Sequence, residues 1–299
     1  MAEPRVSVII IFLNEERFLA EAVNSVLAQS FRDWELLLVD DGSTDSSPAV
    51  AHGFADLGRH QIRCLYHPRR SNRGMSASRN LGLAHAVGEF VAFLDADDVW
   101  LPHKLAEQVA VLDCQPEAGL VYGRTQIWHT WGESPEKSDF FYDLGVLPDR
   151  LYNPPKLFEI LLRNTAQTPT ICNALMRRAL FDKVGGFEDS FHAMFEDQTF
   201  FAKALLDTPA YVDNRVWARY RQHHQSCSAV SHARGDDLRT RLRFLQWLRG
   251  YVRERHDVDR RLRFALYREL IRSRLVLGKK LFTGARKTMK RKVRRASPA

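Results

Sequence analysis

The stretch FLDADDVW, residues 93–100, sets three carboxylates, Asp95, Asp97 and Asp98, within four positions. They follow the apolar run EFVAFL, which reads as a strand. Like charges at that spacing repel, so a positive partner is needed to offset the cost. A hard divalent cation takes oxygen ligands. Mg²⁺ and Mn²⁺ use one or two protein carboxylates and let substrate phosphates complete the shell. The cluster therefore reads as a metal and nucleotide site, with one carboxylate on the cation and another on a ribose hydroxyl. The competing assignment is a solvated turn in which Asp98 caps the next helix.

The elements around the cluster decide how far that chemistry can be taken. VSVIII (6–11) is an unbroken, β-branched run and predicts a strand buried on both faces. NEERFLAEAVNSVLAQ (14–29) has helical spacing, with Asn14, Glu15 and Glu16 suited to its N-terminus. WELLLVDDGSTDSS (34–47) is a second strand running into a turn, in which Ser43, Thr44 or Asp45 caps the helix beyond. Further strands are expected at 62–67, 89–98 and 119–128, and helices at 76–87 and from Pro102 to about Leu112. Strands alternating with helices imply a mostly parallel sheet covered by helices. Such sheets bind ligands outside the carboxyl ends of their strands. Both acidic clusters, Asp40–Asp41 and Asp95–Asp98, fall at such ends. Residues 129–155 are aromatic, Pro-bearing and aperiodic, and predict a long loop of functional character. A helix resumes at 156–163, and from 235 onward the chain is helical and Arg-rich.

Composition bounds the alternatives. The 299 residues suffice for one large domain or two modest ones. No apolar run approaches the roughly 20 residues of a membrane span, and the N-terminus reads as a first strand rather than a signal peptide. Four scattered cysteines, Cys64, Cys114, Cys172 and Cys227, without a C-x-x-C pair, exclude a zinc framework and fit a reducing, cytoplasmic setting. The net charge is +8, yet residues 271–299 carry 11 Lys plus Arg and no acid, leaving 33 basic against 36 acidic residues before them. The basic character belongs to the tail, which argues against general nucleic-acid binding.

The segments VSVIIIFLNEERFLAEAVNSVLAQSF, WELLLVDDGSTDSS, NRGMSASRNLGLAHAVGEFVAFLDADDVWLPHKL and VGGFEDSFHAMFEDQTFFAKAL resemble, in order and spacing, the landmarks of family 2 glycosyltransferases over about residues 5–230. The resemblance implies an α/β fold of GT-A type: a mostly parallel nucleotide-binding sheet flanked by helices, with a helical C-terminal extension. It places Asp41 at the nucleotide base, where turn chemistry in DDGSTD is the other explanation. It places Asp95 near the ribose and Asp97 on the metal. Arg79, in NRGMSASRN, falls near the nucleotide or its phosphates, or forms a salt bridge to a nearby aspartate. Asp197 of FEDQTF matches the catalytic base and Glu196 a supporting residue; an acidic helix start would also explain the pair. His223 of YRQHHQSCS matches a residue reaching the metal or diphosphate, with His224 as competitor. After the first strand the family often has small or polar residues; here Phe12 or Leu13 would instead pack on the base.

The expected function is inverting transfer from a nucleotide-diphosphate sugar, a UDP-sugar above all, to an acceptor hydroxyl on a glycan or lipid-linked molecule, with Mn²⁺ or Mg²⁺ as cofactor. Polysaccharide or cell-envelope glycan synthesis is the expected setting. Residues 1–230 form the expected transferase domain, with 1–128 as the nucleotide-sugar half and 129–230 as the acceptor half; 231–299 form a basic helical extension. Trp128, Trp131, Phe140, Phe141 and Tyr142 offer an acceptor wall or ordinary packing. The segment 279–295, with nine Lys plus Arg, reads as a contact for anionic lipid at the inner membrane face or as a solvated terminus. Two readings from other classes stay open: a nucleotidyltransferase acting on a sugar phosphate, although no Gly-rich phosphate loop follows the first strand, and a non-catalytic nucleotide-sugar-binding module.

Overall fold

The computed structural model describes residues 3–57, 61–132, 137–191 and 194–296, with side chains through 280. The chain forms two compact units, Met1–Ser226 and Cys227–Ala299.

Among the described residues the first unit is built on a nine-stranded sheet. Its leading elements are β1 (Val6–Phe12), α1 (Leu19–Leu27), β2 (Trp34–Asp40), α2 (Ser47–Leu57), β3 (Ile62–Tyr66), α3 (Met75–His85) and β4 (Phe90–Asp95). β3, β2, β1 and β4 run parallel. Every residue of β1 and β2 is buried, as continuous apolar runs covered on both faces require. The register sets the strand ends side by side: Phe12 opposite Asp40 and Ile11 opposite Asp95. α3 lies so close to β1 that a Cβ on Gly82 would stand 2.5 Å from the Ile9 side chain.

The rest of the sheet is mixed. It comprises β5 (Val99–Trp100), α4 (Lys104–Cys114), β6 (Leu120–Trp128), β7 (Arg150–Tyr152), α5 (Lys156–Arg163), β8 (Leu175–Arg177), α6 (Arg178–Val184), α7 (Glu196–Asp207) and β9 (Ala210–Arg221). β8 is antiparallel to β4 and β6, whereas β6 and β9 run parallel, and the strand order is β3-β2-β1-β4-β8-β6-β9-β5 with β7 paired to β9. Phe93 of β4 meets Phe187 edge-on at 5.2 Å, and Phe200 of α7 stacks on Phe181 and Phe187 at 4.7 and 5.0 Å. That aromatic stack carries the start of α7 to the carboxyl end of β4.

Several expectations needed correction. The helix expected over 14–29 begins at Leu19. Asn14 does not cap it; it adopts φ 57° and its Oδ1 accepts the N–H groups of Thr44 and Asp45 at 2.7 and 3.3 Å. The loop expected over 129–155 contains β7 and a bridge from Phe140 to Ile127. α4 starts at Lys104, two residues beyond Pro102.

The second unit contains α8 (Cys227–Arg234), α9 (Asp237–Glu254) and α10 (Arg260–Ala296), with α9 packed on α10. Among the described residues no helix is long and apolar enough to cross a membrane. Of the basic segment 279–295, the side chains beyond Lys280 lie outside the described residues.

Candidate functional site

Carboxylates gather where the strand register puts the ends of β2 and β4. Asp41 receives the N–H of Arg73 on Oδ1 at 2.7 Å and that of Gly74 on Oδ2 at 3.0 Å. It thereby fixes the turn that opens α3. Asp40 takes the N–H groups of Gly42 and Ser43 on Oδ1, while its buried Oδ2 has no hydrogen-bond partner among the described residues. The turn between them is tight: Gly42 has φ 88°, and a Cβ there would stand 2.7 Å from the Arg70 carbonyl oxygen.

Asp95 closes β4 and meets Arg79. The guanidinium, 1% exposed, donates to Asp95 Oδ1 at 2.7 Å and to Glu196 Oε1 at 2.8 Å. Burial opposes its charge, but the two carboxylates outweigh burial and hold it charged. Arg79 thus ties the end of β4 to the first residue of α7. Of the two roles expected for it, the salt bridge is present. Burial raises Asp95, Glu196 and Asp197 above the usual carboxylate range, with Arg79 opposing the rise in all three. Asp197 sits one residue past Glu196, half-buried, and takes the Gln198 N–H on Oδ1 at 2.7 Å. The residue before the pair, Phe195, holds φ 72°, so the backbone turns sharply as it enters the helix.

Asp97 and Asp98 point to the other side. Nε2 of His223 lies 2.9 Å from Asp97 Oδ2. Asp98 is buried; its Oδ1 accepts the Arg221 N–H at 2.9 Å and its Oδ2 has no hydrogen-bond partner among the described residues. Burial, then the charges of Asp97 and Asp95, push the Asp98 carboxyl well above its ordinary range. His224, the alternative to His223, is exposed.

The sequence reading missed two residues. Glu15 lies in the loop after β1, and burial, followed by the negative charge of Asp97, pushes its carboxyl up to about 7. Its interactions with Asp97, His223 and Asp95 place a fourth carboxylate beside the cluster. The signal was the NEE triplet, read as a helix start. Arg221, the last residue of β9, donates to the Asp97 carbonyl at 2.7 Å and to Glu21 Oε2 at 2.6 Å. Its guanidinium lies 4.4, 4.7 and 5.1 Å from the rings of Trp128, Phe18 and Trp131. Trp131 in turn donates through Nε1 to the Gln222 carbonyl at 2.8 Å. Arg221 therefore joins the acidic turn, α1 and the Trp128–Trp131 segment. Only the YRQHH context hinted at it.

Phe12 takes another place than expected. It is 3% exposed and belongs to the core cluster with Val6, Val8 and Ile10. Side chains alternate along a strand, so Phe12 falls on the same face as those residues. Its ring is core; Leu13 is the exposed residue at that strand end. Of the expected aromatic wall, Phe140, Phe141 and Tyr142 are exposed, with Phe140 and Tyr142 in edge contact at 5.1 Å.

Among the described residues no group of three or more His, Cys, Asp or Glu is arranged to hold a metal ion. The adjacent carboxylate and imidazole of Asp97 and His223 do suit a divalent cation that draws its remaining ligands from substrate phosphates. When Nε2 of His223 is a ligand its Nδ1 carries the proton, and that buried Nδ1 has no hydrogen-bond partner among the described residues.

The family model described as Glycosyl transferase family 2 matches residues 7–185. Among curated proteins, an uncharacterized glycosyltransferase of Nostoc sp. is 43% identical over 118 residues, 40% of this chain and 36% of that protein. The UDP-Glc:alpha-D-GlcNAc-diphosphoundecaprenol beta-1,3-glucosyltransferase WfgD of Escherichia coli is 34% identical over 122 residues, 41% of this chain and 46% of that protein. The matched stretch is thus less than half of either relative. Among solved structures, S. aureus TarS 1–349 in complex with UDP-GlcNAc superposes with a TM-score of 0.66 at 20% identity, covering 90% of this chain and 72% of that one. Mannosyltransferase PcManGT from Pyrobaculum calidifontis, in complex with GDP-Man and Mn²⁺, gives 0.59 at 19% identity, covering 96% and 81%. The shared fold is of GT-A type.

Proposed function

The chain belongs to glycosyl transferase family 2, and we propose that it moves a sugar from a UDP-sugar to an acceptor hydroxyl with inversion at the anomeric carbon. The observation that carries this reading is the Arg79 bridge. One buried guanidinium joins Asp95, at the donor strand end, to Glu196, beside Asp197. Donor carboxylate and candidate base are thereby held in one rigid unit.

In this reading residues 1–128 form the donor half and 129–230 the acceptor half. Asp41 shapes the base pocket by pinning the Arg73–Gly74 turn, and its carboxylate retains acceptor capacity for a uracil N3–H. Asp95 receives a ribose hydroxyl. Asp97 and His223 hold Mn²⁺ or Mg²⁺, which when bound supplies positive charge to the leaving diphosphate. Asp197 takes the acceptor proton as the new C–O bond forms and the bond to the diphosphate breaks. Its raised affinity for protons, caused by burial, suits a general base. A single displacement needs no carboxylate nucleophile. Phe140, Phe141 and Tyr142 offer faces for acceptor sugar rings. A lipid-linked acceptor is the class we favour, on the likeness to WfgD.

The test is a screen of nucleotide-sugars for binding and hydrolysis, with and without Mn²⁺, on the wild type and Asp97→Ala. The expected outcome is metal-dependent binding of one UDP-sugar, lost in Asp97→Ala. Failure of every nucleotide-sugar to bind under either condition sinks the proposal.

A further inference from the structure

Helix α10 carries two apolar stripes. Leu262, Leu266 and Leu270 recur every fourth residue and are buried, in the helix that packs against α9. At 100° per residue, Phe264, Tyr267, Ile271 and Leu275 lie roughly 150° around the axis from that line. These four are between 39% and 62% exposed. A row of large apolar side chains in water, one per turn over four turns, is the kind of surface that marks an interaction site.

The flanks of this second stripe are cationic. Arg274 falls on one side, and Arg268, Arg272 and Lys279 on the other; Arg263, also on the first side, donates to the Val258 and Arg255 carbonyls. Residues 260–280 contain eight Lys plus Arg and a single acid, Glu269. That acid lies 3.8 Å from Arg241 and 3.9 Å from Arg272. Arg268, Ile271, Arg272, Leu275, Val276 and Lys279 line an open groove of about 380 Å³, so apolar and cationic groups share one surface.

We infer that the Phe264–Leu275 stripe of α10 docks on a lipid surface bearing anionic headgroups. The apolar side chains enter the boundary between headgroups and acyl chains while the flanking arginines meet lipid phosphates. Charge complementarity selects this occupant. A second copy of the chain, paired through the same face, would set two cationic rims against each other. A nucleic acid would satisfy the arginines and leave four large apolar side chains in water. The inference does not depend on the transfer reaction.

The experiment is flotation of the full chain with vesicles of phosphatidylcholine, alone or mixed with phosphatidylglycerol. We expect binding to the anionic vesicles only. Ile271→Glu combined with Leu275→Glu lowers the bound-to-free ratio about tenfold or more, with unchanged far-ultraviolet circular dichroism. A Tyr267→Trp variant gives a second readout, a blue shift of its added emission on anionic vesicles. Three results overturn the inference. One is no flotation with anionic vesicles. Another is flotation that the double Glu substitution leaves intact with no blue shift at 267, which assigns binding to other basic segments. The third is concentration-dependent self-association without lipid that the same substitution abolishes, which assigns the stripe to a second copy.

Discussion

At the ends of β1, β2 and β4 the backbone sets the site. Strand register puts Asp40 beside Phe12 and Asp95 beside Ile11, and Asp41 grips main-chain N–H groups of the next turn. Beyond the strand ends, side chains do the holding. Arg79 reaches from α3 to α7, and Arg221 reaches from β9 to α1, the acidic turn and three aromatic rings. A site edge made of ladder hydrogen bonds survives loss of any one side chain. An edge held by buried guanidinium clamps does not: removing Arg79 leaves Glu196 unpaired in a dry environment, and removing Arg221 leaves the Asp97 carbonyl without its donor.

That contrast can be broken by substitution. The largest effect is expected from Arg79→Met, which strands Asp95 and Glu196. Denaturant unfolding should show a loss of about 3 kcal/mol or more, and a loss below 1 kcal/mol would mean that register alone holds both edges. Arg221→Lys keeps the charge but not the planar fork that serves Asp97, Glu21 and the rings. A loss of about 2 kcal/mol is expected, with Trp emission changed because Trp128 and Trp131 lose the planar guanidinium at their faces. A variant as stable as wild type, with unaltered emission, would show that the ring contacts are passive.

A third prediction samples the core behind both edges. Lys104 is fully buried, its ammonium over the Trp100 ring at 4.1 Å and 2.6 Å from Gln108 Oε1. Burial pushes it down to about 7. A lysine depressed in the folded state binds fewer protons there than when unfolded, so stability rises with pH from about 7 toward the unfolded value near 10.5. Between pH 7 and 9 this group should add about 2 kcal/mol. Stability curves of Lys104→Met should lack that rise, and an unchanged slope would refute it. The smallest effect is expected at the backbone-built edge. Asn14→Ala removes one acceptor between the loops after β1 and β2, at a cost of about 1 kcal/mol. A loss equal to that of Arg79→Met would erase the distinction.

The same contrast explains what could be read in advance. β1, β2 and β4 were legible because burial on both faces demands continuous apolar runs, and their ends carry the carboxylates. The side-chain edge was not. The partners Arg221 and Glu21 lie 200 positions apart, and no local pattern links them. β9 escaped notice because Asp213, Asn214, Arg215, Arg219 and Arg221 interrupt its apolar positions. The alternation of β1 turns Phe12 into the core with Val8 and Ile10 and leaves Leu13 exposed at the strand end. Asn14 has the chemistry of a helix cap, yet its acceptor is spent on the 44–45 turn.

We propose Asp197 as the base beside an intact donor site. The most direct measurement compares donor affinity and turnover in Asp197→Asn, using the UDP-sugar that the wild type binds. Wild-type affinity for the donor and a fall in transfer of about 10²–10⁴-fold are expected. Transfer within a few-fold of wild type would contradict it and move the base elsewhere in the cluster.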